Sequence, residues 1–70
     1  MNRIPVKSRS IVSLGYDSTT HVLEIEFTKK EIFQYINIPQ TVYAGLFQSS
    51  AKEDYFASFI KNRYYFFRAN

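Results

Sequence analysis

The most constraining feature of this 70-residue chain is a strict alternation of apolar and acidic side chains near its middle. Leu23, Ile25 and Phe27 alternate with Glu24 and Glu26, so an extended segment has one apolar face and one charged face. Successive side chains of a β-strand point to opposite faces, so this pattern predicts a strand that covers a core on one side only. The fold is therefore expected to contain a sheet with a single buried face.

Two further segments predict neighbouring strands. Residues 10–17 place Val12, Leu14 and Tyr16 on one face at period two, and residues 31–38 predict a third strand. Asp17 and the small polar residues after it are typical of a turn, because short side-chain oxygens bond nearby backbone N–H groups. Together the three segments predict an antiparallel β-meander.

Two helices are predicted after the meander. Pro39 ends the third strand and suits the first turn of a helix, where its missing N–H has no partner in any case. The apolar stripe of this helix is Val42, Tyr43, Leu46 and Phe47. Ser50 and Glu53 have the spacing of a capping box that begins a second helix. The stripe of the second helix is Tyr55, Phe56, Phe59 and Ile60. Lys61 and Arg63 then fall near its C-terminus, where cations are favoured.

The predicted fold class is α+β, with a three-stranded antiparallel meander followed by two α-helices packed on one face. Residues 64–68 favour β structure and predict a short, buried C-terminal strand at the sheet edge. Residues 1–5 are expected to be an N-terminal lead-in, and residues 6–68 a single domain. Seven Phe and six Tyr supply the large apolar side chains that so short a domain needs.

The loop between the second and third predicted strands decides which face the central aromatic residues occupy. A two-residue turn sends Phe33 and Tyr35 to the acidic face, whereas a three-residue loop pairs Ile25 with Phe33 and Leu23 with Tyr35. We favour the second register because it matches apolar with apolar side chains. That gain outweighs the cost, about 1–2 kcal/mol, of the left-handed conformation it imposes on Lys30. Phe33 and Tyr35 are therefore predicted to be core residues, and Tyr16 is predicted to be a core residue as well.

The formal charge of +3 is concentrated at the two ends of the chain. Residues 1–9 and residues 61–70 each carry three basic residues and no acid, whereas the middle contains all six acids. Basic ends can bind phosphate backbones. The segment from Lys61 to Arg68 also interleaves cations with aromatic residues, a pattern that can stack RNA bases, although helix-terminal charges followed by a buried strand are the favoured interpretation. The candidate nucleic-acid contacts are Arg9, Lys52, Lys61 and Arg63.

Catalysis has little support in this sequence, and no enzyme activity is predicted. The chain has no cysteine and therefore no thiolate nucleophile. Its single histidine, His21, needs an oriented partner such as Asp17 to act as a base, and a solvated loop histidine is the favoured interpretation. Glu24 and Glu26 are interpreted as the wet face of a sheet. No metal site, cofactor or small-molecule cofactor motif is predicted.

A protein partner or self-association is the alternative to RNA. In the favoured register the outer sheet face bears Ile32 and Ile36 among polar residues, and an apolar patch or an unpaired sheet edge suits such contacts. No apolar run approaches about 18 residues, so no membrane contact is expected. The N-terminus does not resemble a signal peptide, and a cytoplasmic protein is expected.

Short motifs spread over residues 6–68 resemble the KTSC domain family. The positions that carry the resemblance are Val6, Ser8, Ile11, Gly15, Tyr16, Asp17, Leu23, Ile25, Phe27, Phe33, Gln34, Tyr35, Ile38, Pro39, Val42, Tyr43, Tyr55, Phe56, Ile60 and Tyr64. The family's central Tyr-x-Tyr reads Phe33-Gln34-Tyr35 here, and a family glycine at the end of the second hairpin loop is Lys30. The resemblance implies a small non-catalytic module. It also implies an association with RNA, because the domain is found in some lysyl-tRNA synthetases.

Overall fold

The structure, a computed structural model, describes residues 1–70 and contains five strands and two helices. In chain order these are β1 (Ile4–Pro5), β2 (Ile11–Asp17), β3 (Val22–Phe27), β4 (Ile32–Tyr35), α1 (Gln40–Gln48), α2 (Lys52–Phe59) and β5 (Phe66–Arg68). The strands form one antiparallel sheet in sequence order, from β1 at one edge to β5 at the other. The predicted α+β class is confirmed, and the predicted C-terminal strand is present.

The register between β3 and β4 is the one that a three-residue loop requires. Leu23 pairs with Tyr35 and Ile25 with Phe33, as predicted. Lys30 has a φ of 61°, so it adopts the left-handed conformation that this loop imposes. Apolar residues of both strands therefore point to the same face.

The core lies between that face and the helices. Nine apolar residues form it, namely Ile11, Leu14, Leu23, Ile25, Tyr35, Ile38, Leu46, Phe56 and Ile60. Tyr35 is only 4% exposed, whereas Phe33 and Tyr16 are partly buried and pack against the cluster. The Tyr16 ring stacks on Tyr43 with centroids 4.7 Å apart, and its hydroxyl donates to the Ile38 carbonyl at 2.6 Å. Burial, and then the neighbouring charge of Asp17, raises the pKa of Tyr16.

Both helix starts differ from the prediction. Pro39 is the N-cap of α1 and not its first residue, and its carbonyl accepts the N–H groups of Val42 and Tyr43. The predicted capping box at Ser50 is wrong, because the N-cap of α2 is Ala51 and no side chain caps this helix. Glu53 instead accepts hydrogen bonds from the loop between β1 and β2.

The terminal strand differs from the prediction in its burial. β5 pairs with β4 through Phe33–Arg68, Gln34–Phe67 and Tyr35–Phe66, but all three of its residues are exposed. β5 is the last strand of the sheet, and none of its residues belongs to the buried cluster beneath the helices. Its aromatic rings are therefore covered on one side at most. The expectation of a buried terminal strand is therefore wrong.

The opposite edge of the sheet lies within the predicted lead-in. Ile4 pairs with Leu14 and Pro5 with Ser13. A Cβ added to Gly15 would lie 2.9 Å from the Asn2 carbonyl oxygen, so the glycine allows the first residues to lie close against the sheet.

Candidate nucleic-acid interface

The four predicted RNA contacts form two groups, one at each end of α2. Arg9 and Lys52 lie near the N-terminal end, and Lys61 and Arg63 follow the C-terminal end. An eight-residue helix is about 12 Å long, so the two groups are separate sites and not one cluster.

The N-terminal group surrounds an acid. The Glu53 carboxylate accepts the Ser8 hydroxyl and, at 2.8 Å, the Ser10 N–H. These bonds, with a contribution from the charge of Arg9, lower the pKa of Glu53 to about 2. Lys52 donates its ammonium to the Ser49 carbonyl at 2.7 Å. The positive charge at this end of α2 is therefore offset by an acid that stays ionised.

The C-terminal group is more open. Arg63 donates from Nε to the Ser58 carbonyl at 3.1 Å and so binds the end of α2, as expected of a cation there. Lys61 is exposed and has no acidic partner within ion-pair distance. Arg68 adds a third cation on the side of the sheet that the helices cover. It is paired with Phe33, which points to that side, and paired residues of neighbouring strands point to the same face.

Exposed aromatic rings lie among these three cations. Tyr65 is 83% exposed, and Phe66 and Phe67 are each 52% exposed. Alternation along β5 points Phe66 and Arg68 toward the helix side and Phe67 toward the outer side. We call residues 61–68 the basic aromatic segment.

An open cleft lies between the basic aromatic segment, α2 and the hairpin formed by β3 and β4. It has a volume of about 390 Å³, and its aromatic lining is Phe27, Phe33, Tyr35, Phe56 and Phe66. Its polar lining is Glu31, Lys61 and Asn62. We call it the aromatic cleft. A second hollow of about 320 Å³, lined by Asn62, Arg63, Tyr64 and Tyr65, adjoins it through Asn62.

The outer face of the sheet is not the wet acidic surface that the sequence predicts. Glu24 is only 7% exposed, because Arg3 from the N-terminal segment lies across it and forms an ion pair. Gln34 donates to the other Glu24 oxygen at 2.8 Å, and Ser13 bridges Arg3 and Glu26. Burial alone would raise the pKa of Glu24, but the bonds from Gln34 and Arg3 outweigh it and the pKa is lowered.

The predicted protein-contact residues Ile32 and Ile36 flank Gln34 on this outer face. Both are partly buried and not open. The Ile36 N–H donates to the Tyr65 carbonyl, and the Ile32 carbonyl accepts the Ala69 N–H, so the chain around β5 runs directly beside them.

His21 lies in a solvated turn, in agreement with the interpretation favoured from the sequence. His21 is exposed, has a φ of 60° and closes a turn in which Asp17 Oδ1 accepts the N–H groups of Thr19 and Thr20. Asp17 thus holds the turn, and its pKa is lowered chiefly by the Thr19 bond.

Sequence reasoning identified the segment from Lys61 to Arg68, but it missed the cleft and did not list Phe66 and Arg68 among the contacts. The alternation of residues 64–68 identifies a strand, but its register depends on how the chain returns after α2. Once Phe66 is paired with Tyr35, both missed residues necessarily fall on the helix side. No local pattern supplies that pairing.

These features define a small α+β domain whose exposed chemistry is aromatic and basic. The chain belongs to the KTSC domain family, which it matches over residues 7–64. KTSC is a small domain family of unknown function and is not a recognised catalytic family. No helix of this chain reaches the length and apolarity needed to cross a bilayer.

Relatives of this chain include both small proteins and parts of larger ones. It is 31% identical over 65 residues to an uncharacterized protein of Stutzerimonas stutzeri, covering 93% of this chain and 92% of that protein. It is 37% identical over 49 residues to a lysine–tRNA ligase of Trichormus variabilis, covering 70% of this chain but 9% of the ligase. The crystal structure of a KTSC domain protein from Yersinia pestis superposes with a TM-score of 0.95 at 29% identity. That superposition covers 99% of this chain and 97% of the other.

Proposed function

We propose that this chain is a non-catalytic module that binds single-stranded or looped RNA, such as tRNA, through its basic aromatic segment. The observation that carries the proposal is the exposure of Tyr65 and Phe66 among three cations. Exposed rings stack on unpaired bases of any sequence, while lysine and arginine hold the phosphates. Such a role fits the cytoplasmic location expected from the sequence.

The charge distribution supports RNA at this end of α2. The cleft is lined by one cation, Lys61, and one acid, Glu31, while Arg63 and Arg68 belong to the same basic aromatic segment, which contains no acid. The outer sheet face is also less repulsive to phosphate than its sequence implies, because Arg3 neutralises part of the charge of Glu24 and Glu26. At the other end of α2, Arg9 and Lys52 add a weaker contact, since Glu53 offsets them.

The lysine–tRNA ligases supply independent support. Their similarity to this chain is limited to about a tenth of each ligase, so their activity is not carried over. A segment shared with proteins that act on tRNA is consistent with a role in holding RNA.

The proposal is tested by titrating a labelled tRNA pool with the whole chain at 50 and 200 mM salt and following fluorescence anisotropy. Three phosphate contacts on a single strand give a log–log salt slope of about −2.1, so the affinity should fall about 20-fold between the two conditions. Absence of binding at 50 mM salt would reject the RNA function.

A matched pair of variants locates the contact. Lys61→Gln should weaken binding and reduce the salt slope by about 0.7, because one phosphate contact is lost. Lys7→Gln removes the same charge from an exposed position in the loop after β1 and should leave the slope unchanged. Equal effects of the two variants would mean that net charge, and not this segment, drives binding.

Self-association through β5 is a second candidate function. β5 is an edge strand, and Phe67 and Tyr65 expose apolar surface beside Ile32 and Ile36. Two copies could pair their β5 edges, as unprotected edge strands do. Sedimentation should then show a mass that rises with concentration, and Ile32→Glu should abolish the rise. A strictly monomeric wild-type chain would contradict this alternative.

A further inference from the structure

The five aromatic rings that line the open cleft form a closed circuit of contacts. Each ring contacts the next, with centroid separations of 5.8 Å for Phe27–Phe33, 5.7 Å for Phe33–Phe66, 5.1 Å for Phe66–Tyr35, 5.5 Å for Tyr35–Phe56 and 5.7 Å for Phe56–Phe27. A cleft of about 390 Å³ lined mainly by aromatic side chains falls in the range of small-ligand sites. Packing alone does not require such a space to stay open at the surface.

Tyr35 brings an unused polar group to this cleft. Its hydroxyl makes no hydrogen bond within the chain, whereas those of Tyr16 and Tyr55 donate to backbone carbonyls. No fully buried side-chain oxygen lacks a partner, so the Tyr35 hydroxyl keeps some exposure to solvent. Tyr35 is otherwise buried and lines the cleft, so that exposure is toward the cleft. Burial raises the pKa of Tyr35 to about 12, so the hydroxyl stays protonated and can donate.

The polar rim selects among the ligands that five rings could hold. An aromatic enclosure favours either a quaternary ammonium group or a flat base. Lys61 lines the cleft, and Arg68 lies on the helix side of the sheet. Their positive charges disfavour a cationic ligand and favour a ligand that carries an anionic group next to the part held by the rings. The amide of Asn62 and the carboxylate of Glu31 match the donors and acceptors of a base edge.

We infer that the aromatic cleft accepts one unpaired RNA base, which the rings stack, Tyr35 hydrogen bonds and Lys61 anchors through its phosphate. The inference rests on the proposed function and deepens it, because it adds a base-binding site to the phosphate contacts. The neighbouring hollow at Arg63, Tyr64 and Tyr65 then receives the next nucleotide of the strand.

Adjacent phenylalanines provide a matched test. Phe66 and Phe67 have the same exposure, but Phe66 lines the cleft and Phe67 points to the outer face. Phe66→Ala in the whole chain should weaken binding of a short single-stranded RNA of mixed sequence by about 5-fold to 150-fold, the effect of losing one stacked base. Phe67→Ala should change it by less than about 2-fold.

The hydroxyl is tested separately. Tyr35→Phe keeps the ring and should weaken binding by about 3-fold to 10-fold, the effect of one hydrogen bond, while a thermal melt verifies the fold. Suppose that the wild type binds RNA in a salt-dependent way, but that the affinity falls equally in both phenylalanine variants, or falls only in Phe67→Ala. That result would overturn the assignment of a base to the cleft and would leave RNA binding itself intact. No RNA binding at 50 mM salt would instead reject the proposed function itself.

Small-molecule ligands test whether the cleft binds a cation instead of a base. Nucleoside 5′-monophosphates should shift the ring resonances of Tyr35 and Phe66 in NMR spectra, and tetramethylammonium should not. The reverse result would assign the cleft to a quaternary ammonium group and overturn the inference.

Discussion

At the scale of single residues, cross-strand pairing predicts the orientation of Phe33 and Tyr35 but not how deeply each ring is buried. Their inward orientation follows from matching apolar partners across two strands, and the structure has that register. Their burial differs because it depends on what lies above each ring. Both rings line the cleft, but Tyr35 lies against Phe56 of α2 and is buried, whereas Phe33 is only partly buried.

Truncating the two rings should therefore have unequal effects. Tyr35→Ala should lower the free energy of unfolding by about 3–5 kcal/mol, because a buried aromatic side chain is deleted. Phe33→Ala should cost clearly less, since part of its ring already faces water. Urea unfolding followed by circular dichroism measures both, and equal losses would contradict the assigned burial.

Gly45 is a second residue whose role is steric. It lies in the middle of α1, where alanine normally stabilises a helix by about 1 kcal/mol. Here a Cβ would lie 2.2 Å from the hydroxyl oxygen of Tyr55, which crosses α1 to donate to the Val42 carbonyl. The glycine therefore leaves the space that the Tyr55 side chain of α2 occupies.

Gly45→Ala should accordingly destabilise the domain by about 1–3 kcal/mol, opposite in sign to helix propensity. The same substitution in a Tyr55→Leu background should cost less, because the obstructing ring is gone. Thermal melts of the four chains give the coupling, and a stabilising Gly45→Ala would contradict the assigned contact.

At the scale of elements, Glu53 joins α2 to the loop between β1 and β2. Sequence spacing assigns it to a local cap, but its partners Ser8 and Ser10 precede it by 45 and 43 residues. A sequence motif indicates only contacts between residues close together in the chain, so this long-range contact was not predictable. The start of α2 is thus held through Glu53 by a distant loop, and no side chain caps the first N–H groups of the helix.

The Glu53 contact makes stability depend on pH in a defined window. The pKa of Glu53 falls from its ordinary 4.5 to about 2 on folding, so the ionised carboxylate stabilises the fold above pH 4.5. This stabilisation is lost as the pH falls from about 4.5 through about 2. Glu53→Gln should therefore be less stable than the wild type at pH 7 and converge with it near pH 2.

Thermal melts between pH 7 and pH 2 measure the convergence. Asp54→Asn removes a charge from the same turn of α2 at an exposed position and serves as the control. A Glu53→Gln deficit that stays constant over the whole range would contradict the assigned role of its charge.

At the scale of the whole molecule, each side of the sheet differs from the sequence prediction at one place. The outer face is closed by Arg3, which no strand pattern reveals because the residue lies outside the predicted domain. The inner side is left open where β5 extends beyond the helices. The fold class and the register between β3 and β4 were predictable from alternation. The cleft was not, since it requires the relative placement of β3, β4, α2 and β5.

The central claim is that RNA meets the domain on the helix side, at the basic aromatic segment and the cleft beside it. The most direct measurement is an NMR titration of the isotope-labelled chain with a short single-stranded RNA. The account predicts shifts concentrated at Lys61, Asn62, Phe66 and Arg68. Shifts concentrated at Arg3, Glu24 and Gln34, or an unchanged spectrum at 50 mM salt, would contradict it.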